Sequence, residues 1–225
     1  MTHAQLRRLA GAVLAVACVS SPLRAVLEAG MATHMLIQFP LLLIAGALLA
    51  EPLERNAPSR WNRLGIAGLA WVAGVLAVSM IPRLLDLALV DVRVEAAKAV
   101  ALLTAGAALR ASWPRAGLVV QGFFLGNVLP MTAVVGTLYR DAPIRLCNSY
   151  RLDEQLLVGA LLVAAAVAVA IAWLVAAGVR MHRAEIALRS VCAPASVPAR
   201  RDSFDPSPEE RSWPEDASTM TSRRP

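Results

Sequence analysis

The sequence has few of the side chains that enzymes use for catalysis and metal binding. Its 225 residues include three cysteines, three histidines and two tyrosines, and Lys98 is its one lysine. Cys18, Cys147 and Cys192 form no close pair and no metal-type spacing, so the spacing predicts no disulfide framework. The chain also lacks a nucleophile–base pair, a phosphate-binding glycine loop, a metal-hydrolase motif and a nucleic-acid-binding motif. We therefore expect a protein that is not an enzyme.

Apolar residues are abundant instead, and they occur in long runs. Hydrophobic residues make up 57% of the chain, and the mean hydropathy is +0.57. Runs of about 20 apolar residues match the length of helix needed to cross a bilayer. The sequence predicts an all-α fold, a polytopic transmembrane helical bundle that contacts the lipid bilayer of a bacterial inner membrane.

Six spans are predicted within a helical domain of residues 1–190. The first could instead be a cleaved signal peptide, since a small-residue pattern, Ala15-Val16-Ala17, follows the apolar run. Residues 191–225 are rich in proline, serine and charged residues, and we expect a disordered cytoplasmic tail there. The predicted spans cover about residues 9–27, 31–50, 64–85, 94–109, 116–138 and 156–179.

Arginine placement predicts the orientation of these spans. With six spans, ten arginines fall on the side that holds both termini, against six arginines and Lys98 on the other side. Because basic residues favour the cytoplasmic side, we expect both termini in the cytoplasm. Most of the unusual polar residues then lie towards the outer face.

The span at residues 31–50 carries two strongly polar side chains, His34 and Gln38, which share one helical face. His34 has two interpretations, a hydrogen-bonded imidazole inside the bundle or a metal ligand. Copper(I) accepts imidazole together with methionine thioethers, so Met31 and Met35 are candidate ligands beside it, and copper is a possible cofactor. Methionine also simply fills gaps in a core.

Four other residues complete the candidate site. Glu95 and Lys98, three apart, form either a structural ion pair or part of a proton or ion path. Asp86 is interpreted as an interfacial cap. Cys147 is either incidental or a copper or redox thiol. We expect Gln38, Asp86, Glu95 and Lys98 to meet His34 at one depth of the bundle.

Several segments, taken in order, resemble the CtaG-like membrane proteins, which are associated with the assembly of caa3-type cytochrome c oxidase. The resemblance covers about residues 20–159. Gln38 lies where the family has a second histidine, and Lys98 or Ala97 lies where it has another. Of the family's histidines, this sequence keeps His34. The segments are SSPL, MATHMLIQFPLLLIAG, MIPRLLDLAL, VEAAKAVALLTAG, GTLY and LDEQLLVG.

The resemblance implies a non-catalytic accessory in respiratory oxidase maturation or copper handling, with terminal oxidase subunits or another assembly protein as partners. Two alternatives stay open. One is a small-solute or ion transporter or a subunit of one, and the other is a membrane scaffold without a metal site.

Overall fold

The computed structural model describes residues 2–50, 62, 64–147 and 149–192, and all of its regular structure is helical. The all-α prediction is therefore confirmed. The predicted tail, residues 191–225, lies outside the described residues except for the last helical positions. The helices are α1 (His3–Val19), α2 (Ser21–Leu27), α3 (Met31–Leu49), α4 (Ile66–Ser79), α5 (Pro82–Val90), α6 (Val92–Ser112), α7 (Leu118–Asp141) and α8 (Leu152–Cys192).

The predicted first span is two helices, not one. α1 begins with a capping box, in which Thr2 and Gln5 each accept a bond from the other's backbone N–H. α1 and α2 then meet at a bend of 70°. Ser20 there has extended backbone angles, and Pro22 lies in the first turn of α2, where its missing N–H costs nothing.

The predicted third span is also broken. α4 and α5 are bent by 76° at Met80 and Ile81. The residue before a proline is disfavoured in the helical conformation, and Ile81 before Pro82 is extended. The residue just before α4 is Gly65, whose φ of +75° favours glycine.

The second span matches its prediction closely, since α3 ends at Leu49. Five of its residues, His34–Gln38, form a π-helical turn just before Pro40. Proline lacks an N–H and breaks the α-helical hydrogen-bond pattern, and a local π turn is one way for the helix to adjust. The irregularity in α3 therefore lies in the turn that precedes this proline.

Three helices among the described residues are long and apolar enough to cross a membrane: Met31–Leu49, Leu118–Asp141 and Leu152–Arg189. The number rises to five if each bent pair counts as one span. The helix that covers the predicted fourth span, α6, is longer than expected but is not among them, because it carries Arg93, Glu95, Lys98 and Arg110. Length and composition thus give three to five candidate spans, against the six predicted.

α3 lies at the centre of the bundle and packs against α1 and α6, and α6 packs in turn against α4 and α5. Leu42 and Leu102 are fully buried. The outer faces are apolar as well, since Val119 is 85% exposed and Phe123 76%. A water-soluble protein rarely exposes large apolar areas of this kind, whereas a membrane protein needs them.

The chain divides into a compact unit, Met1–Arg180, and a second unit from Met181 onwards. The described part of the second unit, Met181–Cys192, is the C-terminal portion of α8. Its side chains through Arg189 are exposed, and Arg189 pairs with Glu185 one turn before it.

Candidate functional site

A buried polar cluster lies at one end of the Met1–Arg180 unit. The two helix breaks and the starts of α3 and α6 bring it together, and residues 142–151 add to it. We define the charged cluster as Arg24, Glu28, His34, Gln38, Glu95, Lys98 and Tyr150.

His34 is fully buried, and both of its ring nitrogens have partners. Nε2 lies 2.7 Å from Lys98 Nζ, and Nδ1 lies 2.8 Å from Tyr150 Oη. A protonated lysine only donates, so Nε2 accepts and the ring carries its proton on Nδ1. Nδ1–H then donates to Tyr150, whose hydroxyl donates to the Glu28 carbonyl oxygen at 3.1 Å. The result is a directed hydrogen-bond chain through a neutral imidazole.

Lys98 Nζ lies at the centre of the charged cluster. Besides His34 it contacts Glu95 Oε2 at 2.5 Å, Gln38 Oε1 at 3.3 Å and Glu28 Oε1 at 3.5 Å. Its side chain is 8% exposed. Four acceptor atoms therefore surround one ammonium, an arrangement that resembles the ligand shell of a small cation.

Arg24 completes the charge balance. Its Nε lies 2.9 Å from Glu28 Oε2 and 4.0 Å from Glu95 Oε1, and its Nη2 donates to the Ala88 carbonyl oxygen. Arg24 and Lys98 together with Glu28 and Glu95 give two positive and two negative charges. Burying charges is costly unless they are paired, and this cluster pairs them.

Glu95 is held by charge more than by directed hydrogen bonds. It is 2% exposed, and within the described part of the chain neither carboxylate oxygen accepts a hydrogen bond of good geometry despite the short distance to Lys98. Arg24 and Lys98 are therefore the groups that offset the cost of burying this carboxylate.

Gln38 links the charged cluster to α1. Its Nε2 donates to the Cys18 carbonyl oxygen at 3.3 Å, next to the 70° bend, and lies 3.5 Å from Glu28 Oε1. The predicted meeting of His34, Gln38, Glu95 and Lys98 is thus found in the structure.

Asp86 and Cys147 belong to a neighbouring set of contacts. Asp86 Oδ1 accepts from the Ser149 N–H at 3.2 Å, and Cys147 Sγ lies 3.9 Å from the Pro82 carbonyl oxygen. Burial, with the negative charge of Asp86, raises the pKa of Cys147 to about 12. The thiol is 1% exposed and stays protonated at neutral pH. Burial also raises the pKa of Tyr150, so its hydroxyl remains a donor.

The predicted site did not include Glu28, Tyr150, Glu154 or Gln155. Glu154 Oε2 accepts from the Met31 N–H, and buried Gln155 bonds Leu146 N–H and the Tyr139 carbonyl oxygen. The four-residue spacing of Arg24 and Glu28 is the signal that could have identified that pair.

A copper ion at His34 does not fit the side chains as they stand. The one ring lone pair accepts from Lys98, and Met31 and Met35 are packed in the apolar core. Within the described residues, no group of three or more histidine, cysteine, aspartate or glutamate side chains is placed to hold a metal ion. The assignment of His34, Met31 and Met35 as copper ligands stays a prediction.

The opposite end of the bundle holds a smaller polar group around Gln121. Its Nε2 donates to the carbonyl oxygens of Trp113 and Ala116, and its Oε1 lies 3.5 Å from both Trp173 Nε1 and Arg180 Nη1. Gln121 therefore links helices at that end.

Comparisons of the chain with models of known protein families, with curated proteins and with solved structures found no match.

Proposed function

We propose that this chain is a non-catalytic, multi-pass inner-membrane protein of the CtaG-like kind, an accessory in respiratory oxidase maturation. We further propose that it works without a metal ion at the charged cluster, where the Lys98 ammonium takes the central position.

The observation that carries this proposal is the convergence of the segments in which the resemblance lies. His34 and Gln38 come from MATHMLIQF, Glu95 and Lys98 from VEAAKA, and all four meet in the charged cluster. Three of the other segments are tied to neighbouring parts of the fold by the Asp86–Ser149, Tyr139–Met80 and Glu154–Met31 bonds. Segments that share a structural task are expected to meet in this way.

The position of Lys98 supports a role without metal. Its ammonium provides one positive charge among two carboxylates, an imidazole nitrogen and an amide oxygen. Because this positive charge belongs to a side chain, it stabilises the acceptors without any metal ion having to bind. Such a buried cluster suits a rigid scaffold that supports a partner-binding surface better than it suits a site that takes up and releases copper.

We propose six crossings, with α6 as a span despite its charges. Its 21 residues are about 31 Å long at 1.5 Å per residue, enough for the hydrocarbon core. Three of its charges, Arg93, Glu95 and Lys98, lie in its first third, and Arg110 lies in its last turn. α2 and α5 would then be short helices at the outer surface, and both termini would be cytoplasmic, with the charged cluster on the outer side.

The test is deletion of the gene in its native bacterium, with assembled oxidase measured from the haem a absorbance of membranes. We expect loss of assembled oxidase and recovery with the wild-type gene. A Glu185→Gln gene should restore it equally, since Glu185 is exposed on the C-terminal part of α8. Unchanged oxidase in the deletion strain would refute the assembly role and favour a scaffold or transporter.

A further inference from the structure

We propose that the outer face of α7 around Asn127 is the interface of a homodimer in the membrane. The proposal rests on the proposed function in one respect, that α7 spans the bilayer. The occupant of this face is a second copy of the same chain.

Asn127 is an exposed amide near the middle of a candidate span. It is the tenth residue of α7, about 14 Å along the helix from its start. Its Nδ2 donates to the Phe123 carbonyl oxygen at 2.7 Å, within its own helix. Among the described contacts this is its one hydrogen bond, so its second N–H and its carbonyl oxygen point to a bilayer that has no partner for them. An amide in that setting favours association with another helix.

The backbone offers a second polar group at the same depth. Pro130 lies inside α7 and has no N–H to donate to the carbonyl of Gly126, four residues earlier. Gly126 is exposed, and a Cβ added there would meet nothing within 4 Å. A neighbouring helix can therefore approach this carbonyl closely. In a bilayer a freed carbonyl is stabilised only when such a partner is present.

These groups complement themselves. The side chain of Asn127 supplies an N–H donor. The backbone carbonyl of Gly126 and the side-chain carbonyl of Asn127 supply acceptors on the same face. A twofold axis beside them allows each copy to donate to the other, as a symmetric interface requires. An unrelated partner would need the same pattern independently.

The shape of the face is consistent with a second copy. Phe123 and Val119 protrude, at 76% and 85% exposed. Both residues also form one wall of a groove of about 570 Å³ between α4 and α7, whose other wall includes Ile66, Leu69 and Ala73. A protrusion next to a hollow lets the aromatic ring of each copy enter the groove of the other.

The first experiment is disulfide crosslinking in native membranes, with variants built on Cys192→Ser because Cys18 and Cys147 are buried. Phe123→Cys places a thiol on the proposed interface, and Val100→Cys places one on α6, 59% exposed. Oxidation with iodine should give a dimer for Phe123→Cys and little for Val100→Cys. Equal dimer from both variants, or none from Phe123→Cys, would overturn the proposal.

The second experiment measures dimer dissociation by single-molecule photobleaching of labelled protein in vesicles at several protein-to-lipid ratios. Asn127→Leu should weaken association at least fivefold, because it removes reciprocal hydrogen bonds from the lipid-facing surface. Thr104→Val, which removes an exposed hydroxyl on α6, should leave it unchanged. Asn127→Leu with undiminished dimerisation would refute the role of the amide.

The membrane location is checked separately by extraction of the same membranes with alkaline carbonate. Protein that stays in the membrane pellet but does not crosslink refutes the dimer and leaves the proposed function standing. Protein released by carbonate refutes the membrane assignment and the dimer proposal together.

Discussion

At the residue scale, the cost of breaking the charged cluster is set by how deeply its charges are buried. Glu95 is 2% exposed and Lys98 8%. Removing one partner of such a pair leaves a buried charge without its nearest counter-ion, which typically costs about 3–5 kcal/mol. Replacing both partners by uncharged residues of similar size costs less.

We therefore expect Glu95→Gln and Lys98→Met each to lower the free energy of unfolding by about 3 kcal/mol, and the double variant to lose less than the sum. Unfolding by sodium dodecyl sulfate in mixed micelles, followed by circular dichroism, measures this. The control is the exposed pair Glu185–Arg189, at 58% and 79% exposed, where the same exchanges should cost about 0.5 kcal/mol or less. Additive losses at positions 95 and 98 would show that the two residues do not act as a pair.

The sequence predicted this site in part. The spacing of His34 and Gln38, and of Glu95 and Lys98, placed each pair on one helical face, and the two faces do meet. Arg24, Glu28 and Tyr150 were not predicted as members. Arg24 lies on the short helix that follows the 70° bend, Glu28 lies directly after that helix, and Tyr150 lies on an irregular segment. Their positions therefore depend on tertiary packing, which the periodicity of the sequence does not encode.

At the element scale, the central contact of the bundle is the close approach of α3 and α6. A Cβ on Gly106 would collide with the Leu43 carbonyl oxygen, and one on Gly46 with that of Leu103. Glycine at these positions lets the two backbones touch, as small residues do between membrane helices.

Gly106→Ala is accordingly expected to lower the unfolding free energy by about 2 kcal/mol, because the helices must separate. Gly74→Ala is the matched control, on α4, where an added Cβ meets nothing within 4 Å. It should be neutral or stabilise by up to about 1 kcal/mol through helix propensity. The same unfolding assay compares both, and equal effects of the two changes would contradict the packing described.

The apolar runs predicted the helices well where each run was also one helix, as in α3 and α7. They failed at Ser20 and at Met80–Ile81, since apolar residues resume within a few positions after each break. Pro22 and Pro82 are the local signals of those breaks. A proline is equally compatible with a kinked continuous helix, so the 70° and 76° bends could not be predicted from the sequence alone.

At the scale of the whole molecule, the proposed topology places the charged cluster at the outer membrane surface. Alkaline phosphatase fused after Ala142, between α7 and α8, should be active because the proposed topology places that segment on the outer side of the membrane. A fusion after Gly117, between α6 and α7, should be inactive as phosphatase, and a green fluorescent protein fused there should be fluorescent. The reverse pattern would move the charged cluster to the cytoplasmic side and contradict the proposed orientation.

The central claim is that the Lys98 ammonium occupies the position that a bound cation would take. Thermal unfolding of purified wild type and Lys98→Ala, each with and without Zn²⁺, tests it most directly. Zn²⁺ accepts imidazole and carboxylate ligands, and a ligand that binds the folded state raises its unfolding temperature. We predict that Lys98→Ala unfolds at a lower temperature than wild type and recovers part of the loss with Zn²⁺. The wild-type temperature should not respond, nor should that of Lys98→Ala combined with His34→Ala. A wild type stabilised by Zn²⁺ or copper(I), together with a Lys98→Ala variant that does not respond, would contradict the account.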